Sequence, residues 1–257
     1  MHPVLFRIGA FTANSYGFLI AVGFLCALVM AIYRAKKAGL SEDIIYSLGL
    51  LCLPGGMIGA KLLFIITEFQ SIYANPSILL DISNGFVVFG GIIGGALTGY
   101  IYCKVKKISF LEYFDLAVPS VALAQGFGRI GCFLAGCCYG RETDSFLRVV
   151  FNQSSYAPNG ISLMPTQLFS SAGDFLIALT LILYSRRKRE KGKIVLLYLT
   201  LYSVGRFFVE FLRNDPRGSV GILSTSQFVS ACTLVVVFVL YGFMKYRIKR
   251  LKTNMVQ

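Results

Sequence analysis

Tryptophan is absent from the 257 residues, histidine occurs once, and only 14% of positions carry a charge. A soluble globular domain carries about 25% charged residues. Combined with 56% hydrophobic residues and a mean hydropathy of +0.69, that shortfall excludes a disordered chain and argues against an ordinary water-soluble enzyme. The single histidine is His2 and no CxxC pair occurs, so a zinc site is set aside for want of ligands. No repeat of fixed period and no low-complexity tract is present. Residues 1–14 lack the charged start, apolar core and small-residue cleavage site of a signal peptide. They read instead as a short outer segment along the membrane interface. Without tryptophan, anchoring at that interface falls to the 14 tyrosines and the Lys/Arg flanks.

What is present is long apolar runs. A spanning helix needs about 20 mostly apolar residues, and seven segments qualify: 14–33, 44–66, 84–103, 110–135, 166–184, 194–213 and 222–244. The expected fold is all-α, a polytopic membrane protein of about seven transmembrane helices. The formal charge is +13, which in a soluble chain would suggest nucleic acid. Here the basic residues follow alternate spans: Arg34, Lys36 and Lys37, then Lys104, Lys106 and Lys107, then a run from Arg186 to Lys193, and finally Lys245 to Lys252. These four groups hold 17 of the 25 basic residues and fall on one side of a seven-span chain. The positive-inside rule makes that side cytoplasmic, the N-terminus outer and the C-terminus cytoplasmic. No nucleic-acid partner is expected. Residues 136–165 form an outer loop, with turn-forming clusters at Asn152-Gln153-Ser154-Ser155-Tyr156 and Pro158-Asn159-Gly160.

Four of the seven cysteines (Cys26, Cys52, Cys103, Cys232) lie singly in spans and read as small apolar core residues. The other three cluster at Cys132, Cys137 and Cys138, either as small packing residues beside a site or with a disulfide joining Cys132 to Cys137. Gly55-Gly56-Met57-Ile58-Gly59-Ala60 and Gly90-Gly91-Ile92-Ile93-Gly94-Gly95 place small residues at i, i+4 spacing, which lets helix backbones approach closely in lipid. Gly126-Phe127-Gly128-Arg129-Ile130-Gly131 has a dinucleotide-binding spacing but neither the strand nor the βαβ unit that reading needs.

Ionisable residues inside spans are costly and mark sites or internal pairs. Lys61, Asp115, Arg129, Asp174, Arg206 and Glu210 qualify. Tyr202, Arg206, Glu210 and Arg213 share one helical stripe, where Arg206 and Glu210 could simply neutralise each other. Arg129 has no acidic neighbour within a turn of its own span. Arg129, Arg206 and Arg213 facing one outer-leaflet cavity would suit a phosphate, whose oxygens guanidinium binds in pairs. Lys61 either adds a fourth cation or snorkels to the interface.

Gly126-Phe127-Gly128-Arg129-Ile130-Gly131-Cys132-Phe133 resembles the signature of the prolipoprotein diacylglyceryl transferases, integral membrane enzymes with seven spans and an outward N-terminus. Asn14-Ser15-Tyr16-Gly17 resembles the start of the family's first helix, Gly59-Ala60-Lys61-Leu62 a segment of the second, and Gly85-Phe86-Val87-Val88-Phe89-Gly90-Gly91 the entrance to the third. Pro165-Thr166-Gln167-Leu168-Phe169 resembles a Pro-Ser-Gln-Leu-Tyr segment, and the Tyr202 to Arg213 stripe the sixth helix. The order holds over nearly all of the chain, which is identified as a member on that basis.

The resemblance implies transfer of a diacylglyceryl group from phosphatidylglycerol to the lipobox cysteine thiol of a prolipoprotein, the first step of bacterial lipoprotein maturation. It implies catalytic roles for Arg129, Arg206, Tyr16, Tyr202 and Glu210. Substrate binding falls to Arg129, Arg206, Arg213, Lys61, Gly128, Gly131, Cys132 and Gln167, and neither metal nor soluble cofactor is required. The implied partners are phosphatidylglycerol, the prolipoprotein signal peptide and the lipid bilayer. The implied location is the bacterial cytoplasmic membrane, as a single transferase domain over 1–257 with its active site towards the outer leaflet. Three departures mark a cysteine-rich, divergent member. The family's histidine before the paired glycines is here Phe89, the signature asparagine is Cys132, and a following glutamate is Cys137. Either Glu210 or a tyrosine then helps to activate the thiol, or the branch has altered chemistry, with Cys132 and Cys137 carrying a covalent step. A paralogue using the same pocket for another transfer, and a non-enzymatic lipid-binding protein, are the alternatives.

Overall fold

The computed structural model describes residues 3–8, 11–80, 85–215 and 218–254. His2 lies outside them. Among the described residues, each of the seven expected apolar segments holds a long helix: α1 Ser15–Ala38, α2 Glu42–Thr67, α4 Val88–Val105, α5 Phe110–Ala135, α6 Thr166–Tyr184, α7 Lys193–Glu210 and α8 Thr225–Asn254. A short helix, α3 Phe69–Ala74, and a 3-10 turn, Pro76–Leu80, follow α2. Six of the long helices are apolar enough to cross a membrane by length and composition. The seventh, α7, has the length of a short span but carries Lys193, Arg206 and Glu210. Large apolar side chains such as Val29, Ile66, Val88 and Phe238 stand exposed on these helices, as a lipid-facing surface requires.

The N-terminal segment is more ordered than its sequence suggests. β1 Val4–Ile8 and β2 Phe11–Asn14 pair antiparallel, and the Ser15 N–H donates to the Pro3 carbonyl, so the ribbon runs straight into α1.

The chain forms two compact units. One is Met30–Phe114 and the other joins Met1–Val29 to Asp115–Gln257. The first is organised by α2 and α4, which pack along the two glycine stretches. A Cβ on Gly59 would sit 2.8 Å from the Gly94 Cα, and one on Gly94 would sit 2.9 Å from the Gly59 Cα. Neither position has room for a side chain, as the i, i+4 spacing predicted. Within this unit Lys61 lies over the rings of Phe64 and Phe86, each 5.3 Å away.

In the second unit α7 packs against both α6 and α8. Two capping devices set the ends of these helices. Asp115, on α5, accepts the N–H groups of Gly192 (2.6 Å) and Val195 (2.9 Å), so this buried carboxylate caps the start of α7. At the start of α8 the Ser224 N–H donates to the Gln227 side chain at 3.1 Å, and the Gln227 N–H returns to the Ser224 hydroxyl at 3.2 Å. That is a capping box, legible as Ser-x-x-Gln. Residues 136–165 form a loop with its own small core. Phe151, Ala157 and Leu163 are buried against Phe133, Tyr139 and Val149. The strands β3 Val149–Val150 and β4 Ser162–Leu163 pair across it.

Candidate active site

The second unit brings Arg129 from α5, Asp174 from α6, and Tyr202 and Arg206 from α7 onto one open cleft of about 50 Å³. Arg129 donates to the Tyr202 hydroxyl at 3.4 Å, and its Nε lies 3.9 Å from Asp174 Oδ2. The acidic partner missing from its own helix thus comes from α6. Tyr202 is stacked on Tyr198, whose hydroxyl donates to Gln125 at 2.8 Å. Gly173 and Gly205 also line the cleft, and a Cβ on either would meet nothing within 4 Å. Packing inside this unit does not demand glycine at these two positions.

Arg206 points its Nη2 at Ser226, 2.9 Å away, and at Glu210 Oε2, 3.1 Å away. Its Nη1 is buried with no hydrogen-bond partner among the described residues. Glu210 is buried one turn beyond and is not part of the cleft lining. It takes Arg206, Arg213 at 3.7 Å, and a hydrogen bond from Ser224 at 2.8 Å. Glu210 thus touches both arginines from outside the cleft lining. The expected Arg206–Glu210 pair does form, but within a network that Ser224 and Ser226 complete from the capped end of α8.

Arg213 departs from expectation. Instead of facing the cleft it grips Asp215 with two hydrogen bonds, 2.9 and 2.6 Å. Burial alone would lower its proton affinity, and the Asp215 carboxylate more than reverses that, with Cys138 adding to the effect. Here it joins the loop to the end of α7. The Arg141 N–H donates to the Leu212 carbonyl, and the Asn214 N–H to that of Tyr139. Gly140 sits at the crossing, where a Cβ would meet the Leu212 carbonyl oxygen at 2.9 Å.

Tyr16 lies against Gly131, where a Cβ would come 3.1 Å from the tyrosine ring. Gly128 faces open space. Gln167 is fully buried and donates to the Cys137 carbonyl at 2.7 Å, while Thr166 donates to that of Cys138 at 2.8 Å. Both residues hold the cysteine turn. Lys61 and Phe89 belong to the other unit.

The three clustered thiols come together, with their sulfurs all within 4.8 Å of one another. The fold thus gathers three possible ligands without the CxxC pair that the sequence lacks. None of the three lines the Arg129–Arg206 cleft, which removes the support for a covalent step on Cys132 or Cys137 there. Hydrogen bonds with Cys132 and Cys137, then the charges of Arg213 and Arg129, hold the Cys138 thiol below the ordinary thiol range. The same kind of hydrogen bonding pushes Cys137 up.

Asp174, Gly173, Gly205 and Ser226 had no assigned role from the sequence. Asp174 was visible as an intramembrane charge but had no assigned partner. Gly173 and Ser226 could have been suspected from their places beside Asp174 and inside the capping box.

Long apolar helices and an arginine-lined cleft define a polytopic helical membrane protein. The family model for prolipoprotein diacylglyceryl transferase matches residues 3–243. The chain is 49% identical over 247 residues to a phosphatidylglycerol–prolipoprotein diacylglyceryl transferase of Clostridium tetani, covering 96% of this chain and 99% of that one. It is also 49% identical over 254 residues to the second such transferase of Clostridium perfringens, covering 98% and 97%. Against the corresponding protein of Clostridioides difficile it is 33% identical over 231 residues, 90% of each. The chain belongs to the prolipoprotein diacylglyceryl transferase family.

Proposed function

We propose that this protein transfers the diacylglyceryl group of phosphatidylglycerol to the lipobox cysteine of a prolipoprotein, as one transferase domain in the bacterial cytoplasmic membrane. Residues 136–165 lie on the outer side and the C-terminus on the cytoplasmic side. The observation that carries the reading is the pair of guanidiniums, Arg129 and Arg206, on one cleft, with an Arg206 nitrogen buried and lacking a hydrogen-bond partner among the described residues. Burying a guanidinium donor without an acceptor is costly. A phosphate oxygen is an acceptor of the right geometry. Gly173 and Gly205 leave the adjoining space for the glyceryl group and the start of its acyl chains.

The chemistry follows from these positions. Arg129 and Arg206 hold the phosphodiester. Asp174, the carboxylate lining the cleft, takes the proton from the lipobox thiol. The sulfur attacks the glyceryl carbon bonded to the phosphate oxygen, the C–S bond forming as the C–O bond breaks. The bonding pair leaves on glycerol phosphate, whose growing charge the two guanidiniums stabilise. The proton on Asp174 leaves with that product. Tyr202 orients Arg129, and Glu210 with Ser226 orients Arg206.

Purified protein supplied with a lipobox peptide and phosphatidylglycerol vesicles is expected to yield one glycerol phosphate per thioether formed. Thiol loss without glycerol phosphate release would refute the transfer reading. Asp174→Asn is expected to lower kcat with little change in the lipid KM. An unchanged kcat would remove Asp174 as the proton acceptor.

A further inference from the structure

The chemistry proposed above makes no use of the three clustered thiols. Cys132 begins the last turn of α5, which ends at Ala135, and the chain then reverses through Gly136, whose φ is +77°. The Gly136 N–H donates to the Phe133 carbonyl and the Cys137 N–H to the Cys132 carbonyl, each at 3.1 Å. These two bonds make a Schellman turn, which folds the residue after the glycine back over the residue five positions earlier. Cys137 is thereby laid on Cys132. Cys138 completes the set from a left-handed backbone conformation, φ +60°, that a non-glycine residue adopts only at a cost in strain. Gln167 and Thr166 hold the carbonyls of Cys137 and Cys138 from α6, so the turn is anchored from outside itself.

We propose that Cys132, Cys137 and Cys138 form a trithiolate site for one thiophilic d10 metal ion of the Zn2+ or Cu(I) class. A metal–sulfur bond of about 2.3 Å separates three ligating sulfurs by about 4 Å, and these sulfurs already lie within 4.8 Å of one another. Soft thiolates with no oxygen or nitrogen ligand select these ions over Mg2+ and Ca2+. Each thiol that binds gives up its proton to solvent. The resulting complex is anionic, and the guanidiniums of Arg213 and Arg129, which act electrostatically on Cys138, offset that charge. Cys132 is buried, while Cys137 and Cys138 are partly exposed, so an ion has a way in.

The test uses the full-length reduced protein in detergent under anaerobic conditions, titrated with Cd2+ and followed by thiolate-to-cadmium ultraviolet absorption. One equivalent is expected to bind and to protect Cys132, Cys137 and Cys138 from maleimide, as mapped by peptide mass. Cu(I) should displace the Cd2+, preloaded Zn2+ should compete with its uptake, and Mg2+ should do neither. Replacing Cys26, Cys52, Cys103 and Cys232 together by serine should leave the titration unchanged, whereas Cys137→Ser should weaken binding at least tenfold. Because protection is read on the unaltered chain, a variant that fails to fold does not decide the outcome. Absence of stoichiometric binding, protection of the other four cysteines instead, or displacement by Mg2+ would overturn the proposal.

Discussion

Arg129 and Arg206 are the residues on which the account turns. A charged side chain at the centre of a spanning helix costs about 2.5–3.5 kcal/mol on insertion scales. Asp174 and Glu210 offset that cost only in part, since one Arg206 nitrogen stays buried without a hydrogen-bond partner among the described residues. Arg129→Ala is expected to lower kcat/KM by about 10²–10³-fold, the cost of losing one preorganised donor to a developing anion. Arg129→Lys should recover little of it, because the planar fork that meets two phosphate oxygens is absent. Steady-state rates on phosphatidylglycerol vesicles check both. Glu210→Gln makes a different prediction. Losing the carboxylate shared by Arg206 and Arg213 removes the charge opposing two buried cations, and breaking a buried pair costs about 3–5 kcal/mol. A drop in the detergent melting temperature should accompany loss of activity; loss of activity with an unchanged melting temperature would instead make Glu210 a reacting group.

At the scale of elements, helix positions were legible because a 20-residue apolar run has few alternatives in lipid. The α2–α4 contact was equally legible, since glycines at i and i+4 have one strong use there. The N-terminal ribbon was not, because four- and five-residue strands carry too little pattern to stand out from an interfacial segment. The pairing of Arg129 with Asp174 was invisible for another reason: it joins α5 to α6, and nothing local links the two positions. The cysteine cluster lay between these cases. Gly136 before Cys137 is the sequence signal of a Schellman turn, and read that way it places Cys137 on Cys132. Two substitutions test the element-level argument. Asp115→Ala uncaps α7 and should lower stability by about 1 kcal/mol, within a range of about 0.5–2, seen as a lower melting temperature. Gly205→Leu fills open space in the cleft, so the protein should fold normally while its KM for phosphatidylglycerol rises several-fold. An unchanged KM would place the lipid elsewhere.

On the proposed topology the charge excess orients the chain, and a few intramembrane charges line the candidate site. A specific protease site inserted after Pro158 should be cut in intact spheroplasts, and the same site after Lys188 only once the vesicles are opened. The reverse pattern would invert the proposed topology. The most direct measurement of the central claim is complementation of cells depleted of their own transferase, read as the mass of a lipoprotein's N-terminal peptide. A diacylglyceryl adduct is expected with the unaltered protein and none with Arg129→Ala or Arg206→Ala present at equal level in the membrane. No adduct with the unaltered protein, or an undiminished adduct with either arginine variant, would contradict the claim.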